Sequence, residues 1–179
     1  MKIFFDTEFT GLFKKSRLIS IGLVSEHGDK FYAEFNDYDA PGSEMDPWVE
    51  ENTLPLLTLR DKDNYYSVEG EGWLVKWNAE NVAEILTKWL KGFDEQLQMW
   101  SDCYAYDWVL FCDLFGGAMS VPECVHYIPM DLCTLMEANG IDPDISREGF
   151  AEMKGDKHNA LFDAEVIKAC HDKIVGRSE

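Results

Sequence analysis

A mixed β-sheet with helices on its faces is the fold class the sequence predicts, and two patterns predict it. Before residue 36 lie three apolar, β-branched runs joined by turns, which read as an antiparallel meander. From residue 78 onward, helical periodicity alternates with short apolar runs, the pattern of strands connected through helices. With 179 residues and 46% hydrophobic content, the chain fills one core and is short for two, so 1–179 reads as a single domain.

The opening stretch runs through Ile3-Phe4-Phe5 into Asp6 and Glu8, then turns at Thr10-Gly11. As a strand, its period of two puts Asp6 and Glu8 on one face, roughly 6.5–7 Å apart along the axis. Residues 17–25 (RLISIGLVS) and 30–35 (KFYAEF) supply two more strands, with Glu26-His27-Gly28-Asp29 as the hairpin loop. Residues 36–77 break into Pro, Gly, acids and the aromatics Trp48, Tyr65, Tyr66, Trp73 and Trp77, and read as an irregular segment. Within it, Asp46-Pro47 starts a short helix, with Asp as cap and Pro at the first helical position. Asn78 caps a helix through Leu90, because Val82, Ile85, Leu86, Trp89 and Leu90 share one face and Gly92 follows. Residues 96–101 (QLQMWS) form a short strand, and 106–115 an apolar helix stopped by Gly116-Gly117, with Asp107 in its first turn. A last short strand at 125–129, a helix at 131–138 ended by Asn139-Gly140, and a helix at 159–175 complete the chain. The final helix turns Val166, Ile167, Cys170 and Ile174 to the core.

Charge sets a constraint on partners. There are 34 acidic against 16 basic residues, a formal net charge of −18, which repels polyanions at long range. Two local groups of cations stand against that field: Lys14, Lys15 and Arg17 after the first acidic motif, and Lys154 and Lys157 beside His158. If they meet beside divalent ions, the site is locally positive on an acidic body. The cysteines, Cys103, Cys112, Cys124, Cys133 and Cys170, are odd in number and lack any Cys-x-x-Cys pair. They read as reduced thiols of a cytoplasmic protein and argue against a zinc site. The apolar run at Ile3 is too short for a signal-peptide core, and no stretch reaches the roughly eighteen apolar residues that a membrane span takes.

Asp6 and Glu8 repel each other unless a cation sits between them, and carboxylate oxygens suit hard ions such as Mg²⁺ or Mn²⁺. Taken alone, the pair is equally well explained as acids of an edge strand facing water. Asp107, His158 and Asp163 are also ordinary taken singly, an Asp in a first helical turn being a common dipole partner. Asn159 caps the last helix, which leaves His158 in the loop before it and Asp163 in its first turn.

Together the residues form an ordered set: Asp6-x-Glu8, then Asp107 leading an apolar helix, then His158-x-Ala160-x-x-Asp163. This set resembles the DEDDh exonuclease superfamily, whose ribonuclease H-like fold digests nucleic acid from the 3′ end. Within it, the chain is similar to small single-domain 3′–5′ exoribonucleases of the ribonuclease AS type, on the stretch Asp46-Pro47-Trp48-Val49-Glu50-Glu51-Asn52-Thr53-Leu54-Pro55. The resemblance implies two divalent ions, Mg²⁺ or Mn²⁺. Asp6 would bridge them, Glu8 and Asp163 would bind the ion on the nucleophile side, and Asp107 the other. Four carboxylates and two such ions sum to zero charge. His158 is then the general base, a role its ordinary pKa of about 6.5 suits. By the same resemblance, Leu12 and the backbone around Thr10, Gly11 and Leu12 would pack on the terminal base and hold the ribose 3′ end, although Leu12 serves equally as a turn or core residue. Trp48 and Tyr106 are candidates for base stacking, while Phe111 reads as core. The implied substrates are 3′ ends of RNA or short single strands. A proofreading-type 3′–5′ DNA exonuclease and a non-catalytic acidic mimic of nucleic acid are the rival readings. The aromatic segment at 36–77 is a candidate homodimer surface.

Overall fold

A computed structural model of the chain describes residues 1–70 and 72–176. Its sheet contains β1 (Lys2–Phe9), β2 (Leu18–Ser25), β3 (Lys30–Phe35), β4 (Tyr65–Glu69), β5 (Gly72–Trp77), β6 (Gln98–Ser101) and β7 (Met130–Asp131), in the order β4-β5-β3-β2-β1-β6-β7. β1, β2 and β3 are the predicted antiparallel meander. β6 runs parallel to β1 and β7 parallel to β6. Around the sheet lie α1 (Pro47–Asn52), α2 (Ala79–Lys91), α3 (Tyr104–Leu114), α4 (Leu132–Ala138), α5 (Arg147–Ala151) and α6 (Ala160–Val175). The mixed sheet flanked by helices is the ribonuclease H-like architecture.

The alternation of β1 divides the core into two layers. Ile3 and Phe5 pack with Val82, Leu86 and Leu90 of α2 and Phe111 of α3. Phe4, between them, faces the other way and packs with Leu132 and Met136 of α4 and Val166, Ile167 and Cys170 of α6. Asp6 and Glu8 share the parity of Phe4, so the pleat directs them to the α6 side. Opposite Asp6 in the β1–β2 register sits Gly22. A Cβ there would lie 2.4 Å from backbone atoms of Ala160 and Leu161, so α6 rests directly on bare strand backbone. This close approach sets the first turn of α6 against the carboxylates of β1.

Three elements differ from the sequence prediction. The segment at 36–77 is not irregular throughout: β4 and β5 form an antiparallel pair, and β5 joins the meander parallel to β3. Residue 71, also within that segment, lies outside the described residues. Both strands are short and carry charges, Glu69 and Lys76, and as the sheet's edge pair they bury little, so no clean apolar alternation marks them. The strand expected at 125–129 is a single bridge, Leu97 to Val125, and the true strand β7 follows it at Met130–Asp131. α5 went unpredicted because a five-residue helix with Gly149 inside it carries no periodic signal; Ser146 caps it by accepting from the Gly149 amide. The predicted caps Asp46, Asn78 and Asn159 each accept a backbone N–H from the turn they start. Among the described residues no helix is long and apolar enough to cross a membrane, and the five cysteines are unpaired.

Gly22→Ala is expected to lower stability by about 1–3 kcal/mol, since the added methyl meets backbone that cannot rotate away. Thermal unfolding measures this, and a wild-type melting temperature would show that α6 does not rest on Gly22.

Candidate active site

β1 and β6 run parallel and therefore end at the same edge of the sheet. Asp6 and Glu8 lie near the end of β1, and α3 leaves the end of β6 carrying Asp107 in its first turn. α6 brings Asp163 in its first turn, and the loop before it brings His158. All five predicted residues line one cleft.

Local hydrogen bonds hold each group. Asp107 is buried; the Thr7 hydroxyl donates to its Oδ1 at 2.6 Å and the Ser101 hydroxyl donates to its Oδ2. Thr7 is the β1 residue between the two acids, so the same strand that supplies Asp6 and Glu8 also fixes Asp107. Asp163 Oδ2 accepts the His158 backbone N–H at 2.8 Å. His158 takes the left-handed conformation, φ 70°, which is costly for a side chain with a Cβ and is stabilised here by that bond. Its Nδ1 lies 3.9 Å from Glu8 Oε1, and the Trp48 ring meets the imidazole edge-on at 5.0 Å between centroids. Glu8 Oε2 also accepts from the Thr53 hydroxyl at 3.4 Å. The Asn159 amide donates to the Leu56 carbonyl at 3.3 Å, tying the cap of α6 to the segment after α1.

The charges crowd. Burial, then the neighbouring Asp107, Glu8, Asp163 and Asp102, push the Asp6 carboxyl well above the usual carboxylate range. Burial and Asp163 push Glu8 up to about 8. Burial pushes Asp107 up to about 7, opposed by the Ser101 and Thr7 hydroxyls. Asp163 rises to about 7 through burial, opposed by the His158 amide. His158 moves down, through burial and the nearby Lys157. Asp6 Oδ2 is buried with no hydrogen-bond partner among the described residues. Potential ligand atoms fall into two groups, Glu8–His158–Asp163 and Asp6–Asp102–Asp107, within each of which they lie within 4.8 Å of one another. An orphaned carboxylate oxygen among mutually repelling hard-oxygen donors fits divalent cations such as Mg²⁺ or Mn²⁺.

Beside the cleft, Leu12 lines two neighbouring cavities of about 370 Å³ each and is 70% exposed, as a turn tip and not as core. Gly11, Trp48 and Phe9 line one; Tyr106 and Lys14 line the other. Tyr106 stacks on Phe9 at 5.6 Å with the rings 10° apart, which fixes its plane. Thr10 behaves differently. It is fully buried, exchanges hydrogen bonds with Arg17 and accepts the Asp46 amide at 2.8 Å, so it ties the turn to the cap of α1. It lines neither cavity. Of the expected cations, Lys157 lines the cleft and Lys14 the outer cavity, whereas the Arg17 guanidinium donates to the Asp37 carbonyl. Sequence reasoning missed Asp102 and Arg147, an ion pair at 2.6 Å that also lines the cleft. Asp102 sits directly after β6 and was within reach as a second acid near Asp107; Arg147 opens the unpredicted α5 and had no signal.

Because the folded carboxyl pKa values are raised, the stability these groups contribute is complete below the ordinary range near 4. It is lost as pH climbs through the folded values, up to about 8 for Glu8. In EDTA, the melting temperature is expected to fall between those limits, and added Mg²⁺ to restore more of it at the alkaline end. Glu8→Gln flattens the slope. A pH-independent melting temperature in EDTA would contradict the crowding.

The chain also matches known proteins along nearly its whole length. Two proteins of Mycobacterium tuberculosis are similar to it: the 3′-5′ exoribonuclease Rv2179c of strain H37Rv and the 3′-5′ exoribonuclease MT2234.1 of strain CDC 1551. Each is 29% identical over 164 residues, spanning 92% of this chain and 87% of the relative. The family model described as the 3′-5′ exoribonuclease Rv2179c-like domain matches residues 1–175, a span that contains every acid of the cleft and His158. The chain belongs to that family of Rv2179c-like 3′-5′ exoribonuclease domains.

Proposed function

We propose that the protein is a divalent-metal-dependent 3′–5′ exoribonuclease that removes nucleotides from RNA 3′ ends with His158 as general base. The convergence of Asp6, Glu8, Asp107, Asp163 and His158 on one cleft carries this reading, and the activity named for the two relatives supports it. Asp6, Glu8, Asp107 and Asp163 would hold two ions. When bound, such ions stabilise charge on the phosphoryl and leaving oxygens and lower the pKa of bound water.

The chain's own residues do the rest. Burial and Lys157 favour the neutral imidazole of His158, whose lone pair takes the proton of the attacking water. Glu8 near Nδ1 and the Trp48 edge orient that ring. As the water oxygen bonds to phosphorus, the bond to the 3′ oxygen breaks. The products are a nucleoside 5′-monophosphate and a strand one residue shorter with a 3′-hydroxyl. The cavities on either side of Leu12, one walled by Trp48 and Phe9 and the other by Tyr106, are sized for the terminal bases, with Leu12 and Gly11 against the last one.

The first test is a time course on 5′-labelled single-stranded RNA and matched DNA with Mg²⁺, Mn²⁺ or EDTA. RNA is expected to shorten stepwise from the 3′ end, and EDTA to stop it. Intact RNA under every metal condition would favour the acidic-mimic reading, and preferential loss of DNA the proofreading one. His158→Ala is expected to lower kcat by about 10²–10⁴-fold, the range for loss of a general base. Asp6→Ala should fold and yet abolish metal-dependent hydrolysis. Leu12→Ala should raise KM while leaving kcat nearly unchanged, because it removes binding contacts remote from the reacting bond.

A further inference from the structure

The cleft contains a fixed cation that the proposed chemistry does not use. Arg147 Nε lies 2.6 Å from Asp102 Oδ2, and Nη2 donates to Cys133 Sγ at 3.0 Å. Cys133 in turn donates to the Asp102 carbonyl at 3.1 Å, and Cys170 to the Arg147 carbonyl at 3.4 Å. Nη2 is therefore held by a hydrogen bond, and Nε by its ion pair with Asp102 alone, making no hydrogen bond of its own among the described residues. Nη1 has no hydrogen-bond partner among the described residues, and the side chain keeps 27% exposure on the cleft. Lys157, the other cation there, is 64% exposed and pairs loosely with Glu148 at 3.6 Å, so it is a solvated charge and not a fixed one.

Charge balance gives this arrangement a purpose. Two divalent ions, if bound, would cancel Asp6, Glu8, Asp107 and Asp163, and Arg147 cancels Asp102. A strand entering the cleft adds one negative charge per phosphate, and a planar guanidinium with an unused edge matches phosphate oxygens in geometry and charge. We propose that Arg147 is a substrate-positioning residue that binds a backbone phosphate of the RNA in the cleft, with Asp102 orienting its guanidinium. The inference rests on the exoribonuclease reading of the same cleft.

The test compares Arg147→Met, Arg147→Lys, Asp102→Asn and the double variant Arg147→Met/Asp102→Asn with wild type. Hydrolysis of a labelled single-stranded hexaribonucleotide in Mg²⁺ is followed across a KCl series. Arg147→Met is expected to raise KM by about tenfold or more, the worth of a charged hydrogen bond. Its kcat should change much less, and the slope of log kcat/KM against log salt should become shallower by about 0.7, the loss of one phosphate contact to a single strand. Arg147→Lys should keep the slope and recover part of KM. Asp102→Asn should raise KM while the Mg²⁺ concentration needed for thermal stabilisation stays as in wild type. Fluorescence anisotropy of the same labelled strand with Ca²⁺ in place of Mg²⁺ should show the matching loss of affinity. Because Arg147→Met leaves Asp102 without its counter-ion, the double variant carries the test if the single one does not fold. A folded variant with unchanged KM and salt slope overturns the inference while leaving the exoribonuclease reading intact. So does Asp102→Asn that shifts the Mg²⁺ midpoint with KM unchanged, since Asp102 would then serve the ions. A wild-type protein that hydrolyses no RNA removes both readings together.

Discussion

Two like charges 4 Å apart repel by roughly 4 kcal/mol where burial thins the water between them, and Asp6, Glu8, Asp102, Asp107 and Asp163 are held in one cleft against that force. Much of the surrounding structure answers it. Hydroxyls from Thr7 and Ser101 take the two oxygens of Asp107, the His158 amide takes one of Asp163, and the Arg147 guanidinium takes one of Asp102. Asp6 receives no such relief at Oδ2. The remaining repulsion is carried by the hydrophobic layers on both faces of β1, which keep the strand in place whatever its acids prefer.

That scaffold is built from close approaches more than from side-chain links. Gly22 lets α6 settle on the sheet, and the buried Thr10 ties the turn after β1 to the cap of α1. Asn159 ties the cap of α6 to the Leu56 carbonyl. Three separate segments are in this way referred to the end of one strand. A displacement in any of them is transmitted to the spacing of the acids, where like charges make the energy depend steeply on distance.

The meander, the caps and the long helices were legible because each carries a local signal, whether alternation, periodicity or a capping side chain. β4 and β5 were hidden since an edge pair buries little, and α5 because five residues around a glycine have no period. The acidic set was legible for another reason: two residues on one strand and two in the first turns of helices are positions whose geometry follows from the element alone. Thr10 shows where that reach ends. Its neighbours Gly11 and Leu12 line a cavity, but its own side chain turns inward to the Arg17 amide, which spacing does not reveal. Asp102 and Arg147 lie 45 positions apart on elements that meet only in the fold, so no local pattern joins them.

The strongly acidic body also bears on how a catalytic cycle closes. In the proposed reaction a nucleoside monophosphate would leave with about two negative charges near neutral pH, from a surface whose net charge is −18. The field that slows the approach of a polyanion therefore speeds the departure of a small anion, which has few contacts to resist it. On the proposed function, product inhibition would be weakened at its source, while a long strand held at several phosphates would feel the opposing pull of the site more than the fragment it has just lost.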